Sequence, residues 1–208
     1  MHFDAEESKR VNALMDRISE QYFRNLTPKR LENLTRAVAM RTEDYQRGQL
    51  SKQIKAGIGL DLHLADRGLL KQIDNFVAEN VSLIKSIPNQ YFDEIEKTVT
   101  RGIANGQRWE TMAKDIAKRA EGSGSRARLI ARDQTGKFYG RLNETRQTEL
   151  GIDAYIWRTS NDARVRDEHV EREGKRFLWS DPPSDGHPGE PINCRCFSEP
   201  DLSALLGS

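Results

Sequence analysis

From Glu7 to about Tyr45 the apolar residues Val11, Leu14, Met15, Ile18 and Tyr22, then Leu31, Leu34, Val38 and Tyr45, recur at three- and four-residue intervals. That spacing gathers side chains on one face of a helix. Thr27-Pro28 divides the run, with threonine placed to cap a second helix and proline in its first turn. Residues 1–46 are therefore expected to form a helical hairpin. Between Arg47 and Gly68 there are four glycines, and Ile58, Leu60, Leu62 and Leu64 alternate with Gly59, Asp61 and His63. A period of two predicts an extended connector or short strand over 47–67.

Helical spacing returns at Leu69 with Ile73, Phe76, Val77 and Ile84, up to a stop expected at Pro88. A second helix is expected through Ile95 and Val99 to Asn105-Gly106. A third carries Trp109, Met112, Ala113, Ile116 and Ala117 and is expected to close at Gly122-Ser123-Gly124-Ser125. A fourth, polar helix runs from Arg126 to about Leu150 and ends at Gly151; its Gly136 and Gly140 share a face, where another backbone can approach closely. Together these predict a helical bundle over 68–151.

Beyond Gly151 the texture changes. Ala154-Tyr155-Ile156-Trp157 and Phe177-Leu178-Trp179 are aromatic and branched, and Ile192 to Phe197 alternates around two cysteines, which predicts short strands. Ser160-Asn161-Asp162 is read as a turn leading to a short helix with Arg166 and His169, and Asp181 to Gly186 as a long loop. The fold class is α+β, mostly α: helical N-terminal and middle portions, a small strand-containing subdomain over 152–200, and a tail over 201–208.

The chain of 208 residues suits one domain or two small ones. Hydrophobic residues are 36% and charged residues 31%, with mean hydropathy −0.77, a polar composition suited to long solvated helices or to surfaces buried against partners. Neither a membrane-length apolar stretch nor a basic-then-apolar leader is present, which predicts synthesis in the cytoplasm and no membrane partner. A formal charge of +1 gives no bulk preference for nucleic acid.

The last fifth holds both cysteines and half of the four histidines. His169, His187, Cys194 and Cys196 offer two imidazoles and two thiolates, a donor set suited to structural zinc. Cys-x-Cys is tighter than a standard finger, and reduced thiols packed as small hydrophobes beside hydrogen-bonded histidines are the competing reading. The demanding geometry of a disulfide argues against bridging two cysteines one residue apart. Arg158, Asp162, Arg164 and Arg166 with His169 would suit phosphate chemistry, as in a hydrolase or toxin-like enzyme acting on nucleic acid or nucleotide. A solvated ion-pair face explains the same charges. Lys114, Lys118, Arg119, Arg126, Arg128 and Arg132 form a basic cluster suited to non-specific contact with DNA, or to solvation alone.

Four stretches in order resemble one family. Asn80-Val81-Ser82-Leu83-Ile84-Lys85-Ser86-Ile87 looks like its helical signature, and Ile130-Ala131-Arg132-Asp133-Gln134-Thr135-Gly136-Lys137 like its polar helix. Trp157-Arg158-Thr159 with Arg164-Val165-Arg166 and His169 looks like its C-terminal entry, and His187-Pro188 with Asn193-Cys194-Arg195-Cys196 like its ending. The family is that of bacteriophage Mu F-like head morphogenesis proteins, also called minor head or minor capsid proteins, and the resemblance covers roughly Gln49 to Pro200. In the family the His-Pro pair often runs almost directly into Cys-Arg-Cys, whereas here Gly189-Glu190-Pro191-Ile192 intervenes. The resemblance implies a structural protein of the phage or prophage head, found inside the virion and before that in the host cytoplasm. It also implies association with portal, capsid or scaffold proteins and a part in head assembly or in DNA packaging or delivery. It implies no firmly established reaction; the residues themselves lead us to expect no catalytic group and no cofactor beyond the zinc weighed above.

Overall fold

The computed structural model describes residues 13, 17, 20 and 24, then 27–61, 69–105, 107 and 109–206. Among the described residues the long helices are α1 (Pro28–Ile58), α2 (Leu69–Ala104) and α3 (Trp109–Glu149). They precede β1 (Ala154–Thr159), α4 (Asp167–Glu171), β2 (Arg176–Leu178), β3 (Cys196–Pro200) and α5 (Ser203–Leu206). The fold is α+β and mostly α.

The helices overrun the breaks that the sequence suggests. Thr27 begins α1 as expected, its hydroxyl accepting the Arg30 backbone N–H at 3.3 Å. The helix then continues past Arg47 to Ile58, so the first half of the expected connector is helical. Leu50 and Ile54 are fully buried there, packed with Ile58, Leu150 and Leu202. That burial outweighs the helix penalty of Gly48 and Gly57, about 1 kcal/mol each. Gly57 is needed for packing: a Cβ on it would overlap the Leu202 side chain. The chain leaves the helix at Gly59, whose φ of +73° is left-handed. The expected strand residues 62–64 and most of the first hairpin helix lie outside the described residues.

Two further breaks do not occur. α2 passes through Pro88, which is buried, on a helix that also buries Ile73, Phe76, Val77, Asn80, Ile95 and Thr98. The lost backbone hydrogen bond is offset by that packing. α3 passes through Gly122-Ser123-Gly124-Ser125, so the third and fourth expected helices are one. A break there would leave two new helix ends, each with four unpaired backbone groups.

The described chain divides into two compact units, with cuts at Thr35/Arg36, Val77/Ala78 and Ile130/Ala131. Within the unit that holds Ala78–Ile130, Arg119 pairs with Glu94 at 2.6 Å. The unit that holds the C-terminal section is built on a polar layer. The Gln46 amide donates to the Asn143 side-chain oxygen at 2.7 Å. Arg146 donates to Gln46 and to the Glu43 carboxylate, all three side chains buried. The Gln147 amide N–H donates to the Ser198 carbonyl at 3.2 Å, and its oxygen accepts the Trp179 indole N–H at 3.3 Å. Asn143, Arg146 and Gln147, polar residues that suggest a solvated face, thus tie the end of α3 to α1 and to the sheet.

The sheet has three antiparallel strands in the order β2-β1-β3. β1 alternates, with Tyr155, Trp157 and Thr159 buried. Trp179 packs on Tyr155 at 4.4 Å between ring centroids, and Phe177 and Cys196 pack against the same cluster. β3 begins at Cys196 rather than near Ile192, because Asn193 turns the chain at a left-handed φ of +60°.

Candidate functional site

Two surfaces meet at the cysteine loop. On α3, Gly136 and Gly140 leave a bare stripe against which the Pro188-Gly189 backbone lies. A Cβ on Gly140 would come within 2.6 Å of the Pro188 carbonyl oxygen, and one on Gly189 within 2.8 Å of the Gly136 carbonyl oxygen. One turn earlier, the Asp133 carboxylate accepts the Asn193 backbone N–H at 2.7 Å. The polar helix motif is therefore the seat of the His187-Pro188 and Asn193-Cys194-Arg195-Cys196 motif. The inserted Gly189-Glu190-Pro191-Ile192 forms a local turn, in which Glu190 accepts the His187 backbone N–H at 2.6 Å and the Cys194 N–H bonds the Pro191 carbonyl at 3.0 Å.

His169 comes from α4 and is 1% exposed. Its Nδ1 lies 3.3 Å from Cys196 Sγ and 3.7 Å from Cys194 Sγ. Its Nε2 lies 2.8 Å from an Asp185 carboxylate oxygen. Arg172 donates to the other Asp185 oxygen and its guanidinium stacks over the Trp157 ring, 5.0 Å from the centroid. Burial alone would raise the Asp185 carboxyl, but hydrogen bonds from His169 and Arg172 outweigh it and hold the group below the usual carboxylate range. Both cysteines are unbridged. A hydrogen bond from Cys196 pulls the Cys194 thiol down to about 5, and the same contact pushes Cys196 up.

His169, Cys194 and Cys196 each direct one donor atom into a common space, and those three atoms lie within 4.8 Å of one another. His187, the fourth residue of the expected ligand set, is not in this group. It is buried elsewhere in the loop, its Nδ1 2.9 Å from the Tyr155 hydroxyl and its ring against Trp179. Burial raises the Tyr155 hydroxyl, which keeps it protonated.

The arginine group does not converge on His169. Arg158 pairs with Glu173 and Glu199, and Asp162 with Arg164 at 3.8 Å and Arg195 at 2.8 Å. Arg166 donates to the Ile192 carbonyl at 2.6 Å. These residues make ion pairs and a loop tie, and both ring nitrogens of the buried His169 face other partners. Asp185, Asp133 and Tyr155 were not expected as site residues. Asp185 is only a loop residue in sequence, and no spacing rule links it to His169 sixteen positions earlier.

The Phage Mu protein F like family matches residues 93–199, more than half of the chain and nearly all of the segment that builds this site. The chain belongs to that family. The matched span takes in the polar helix, the strands and the cysteine loop, whereas Asn80–Ile87 lies before it. An uncharacterized protein of Haemophilus influenzae (strain ATCC 51907 / DSM 11121 / KW20 / Rd) is 33% identical over 196 residues, which is 92% of this chain and 44% of that protein. The chain thus spans less than half the length of this relative. No solved structure matches it.

Proposed function

We propose that the chain acts in phage or prophage head morphogenesis as a minor head component that docks on the portal and assists DNA packaging or ejection. The observation that carries this reading is the family match over residues 93–199. The design of the molecule supports it. Among the described residues no helix is long and apolar enough to cross a membrane, and α1 exposes Val38 and Tyr45, two turns apart on one face, apolar surface suited to a protein partner. Its place would be the virion interior after assembly in the host cytoplasm. The rival hydrolase reading draws no support from the arginines, which are engaged in the pairs described above.

The test is co-sedimentation of the chain with portal protein and procapsids of the encoding phage. Recovery in the portal or procapsid fraction is expected. Recovery only as free protein overturns the reading.

A further inference from the structure

We propose that His169, Cys194 and Cys196 bind one zinc ion through Nδ1 and two thiolates, with Asp185 as the residue that positions the histidine and solvent in the fourth place. Three observations lead there. First, one imidazole nitrogen faces two sulfurs, at 3.3 and 3.7 Å. Nδ1 has a single lone pair or a single proton, so it cannot make a full hydrogen bond to both sulfurs at once. An ion among the three atoms satisfies all of them. Zinc bonds of about 2.3 Å to sulfur and about 2.0–2.1 Å to nitrogen, set at tetrahedral angles, put the nitrogen and each sulfur about 3.6 Å apart. The two observed distances bracket that value.

Second, the far nitrogen is held by a carboxylate. Asp185 accepts from Nε2 at 2.8 Å and is itself anchored by Arg172. A carboxylate on Nε2 fixes the proton there and turns the Nδ1 lone pair toward the sulfurs, the arrangement that supports metal-bound histidines. Simple packing of thiols as small hydrophobes does not require it. Third, the loop delivers both sulfurs to one side. The turn at Asn193, held by Asp133, places Cys194 just before the strand, with its sulfur within 4.8 Å of that of Cys196. Cys196 also borders an open groove of about 760 Å³, with Gly136, Tyr139 and Phe197, which offers an ion a way in.

The ligand set differs from the expected four in leaving out His187, and that makes the proposal sharp. The experiment is elemental mass spectrometry on the whole 208-residue chain purified without chelator, with zinc affinity measured by competition against a chromophoric chelator. Wild type is expected to hold about one zinc per chain, the content of such a site. Cys194→Ser/Cys196→Ser and His169→Gln are expected to hold none, and His187→Gln to keep it. Asp185→Asn is expected to keep the ion with affinity lowered about 10- to 100-fold while its circular dichroism stays unchanged. Should the cysteine variant fail to fold, wild type answers alone: zinc(II) should protect both thiols from a disulfide reagent, and cobalt(II) should give thiolate charge-transfer and tetrahedral d–d bands. Wild type without metal, with thiols unprotected after zinc(II) is added, overturns the proposal. Loss of zinc in His187→Gln, with the fold intact, overturns the three-ligand set.

Discussion

Arg146 shows how far one side chain can depart from its apparent role. On a polar helix it looks like a solvated cation, yet it is buried against Glu43 and Gln46. Removing Arg146 takes the buried cation from Glu43 and leaves the more exposed Arg47, at 3.3 Å, beside that buried carboxylate. Arg146→Ala is therefore expected to destabilise the fold by about 3–5 kcal/mol, read as a lower urea midpoint at unchanged slope. A loss under about 1 kcal/mol, the range of an exposed ion pair, would show that the pair is solvated. At the candidate site, residue types were informative and partners were not. His169 and both cysteines stand out as soft donors in a loop-rich segment. His187 belongs to the same types but meets Tyr155, and Asp185 carries no distinguishing signal at all. Which donors meet is a matter of where α4 and the 185–196 loop fold back, and composition does not carry that.

The glycines of α3 separate local preference from packing. Gly122 has open space around it, so Gly122→Ala keeps the helix and removes backbone freedom from the unfolded chain. It is expected to stabilise by about 0.5–1 kcal/mol. Gly140→Ala on the same helix is expected to destabilise by at least about 1–3 kcal/mol, because its Cβ would meet the Pro188 carbonyl backbone. Chemical denaturation of the two variants side by side decides this; equal shifts of the same sign would show that the Pro188-Gly189 segment does not rest on the helix. The close approach itself was readable from two glycines four apart. The helix ends were less so. Gly151 does end α3, at a φ of +74°, with the Ile152 N–H returning to the Gln147 carbonyl at 2.8 Å. Pro88 and the Gly-Ser cluster do not end theirs, since a local penalty of a few kcal/mol is outweighed when the flanking turns are held by packing on both sides.

For the whole molecule, the C-terminal section gathers its apolar core from few residues, chiefly Tyr155, Trp157 and Trp179. A core this small leans on cross-links. With zinc bound well above its dissociation constant, chelation is expected to lower the melting temperature by about 5–10 °C. Cys194→Ser/Cys196→Ser should melt at the same temperature with and without chelator; an equal chelator effect in both proteins would place the ion elsewhere.

The chain's periodicity was enough to establish a mostly helical protein with a small C-terminal sheet, because amphipathic spacing is a local property written residue by residue. Ordered motifs were enough to point to the family, since each is built of short contiguous strings. Three things needed the folded chain: helices that run through Pro88 and the Gly-Ser cluster, the buried polar layer around Arg146, and the exchange of His187 for Asp185 around His169. Each depends on contacts between residues far apart in sequence, such as Arg146 with Glu43 or Asp133 with Asn193. Their energies outweigh local preference only once the backbone has brought the partners together.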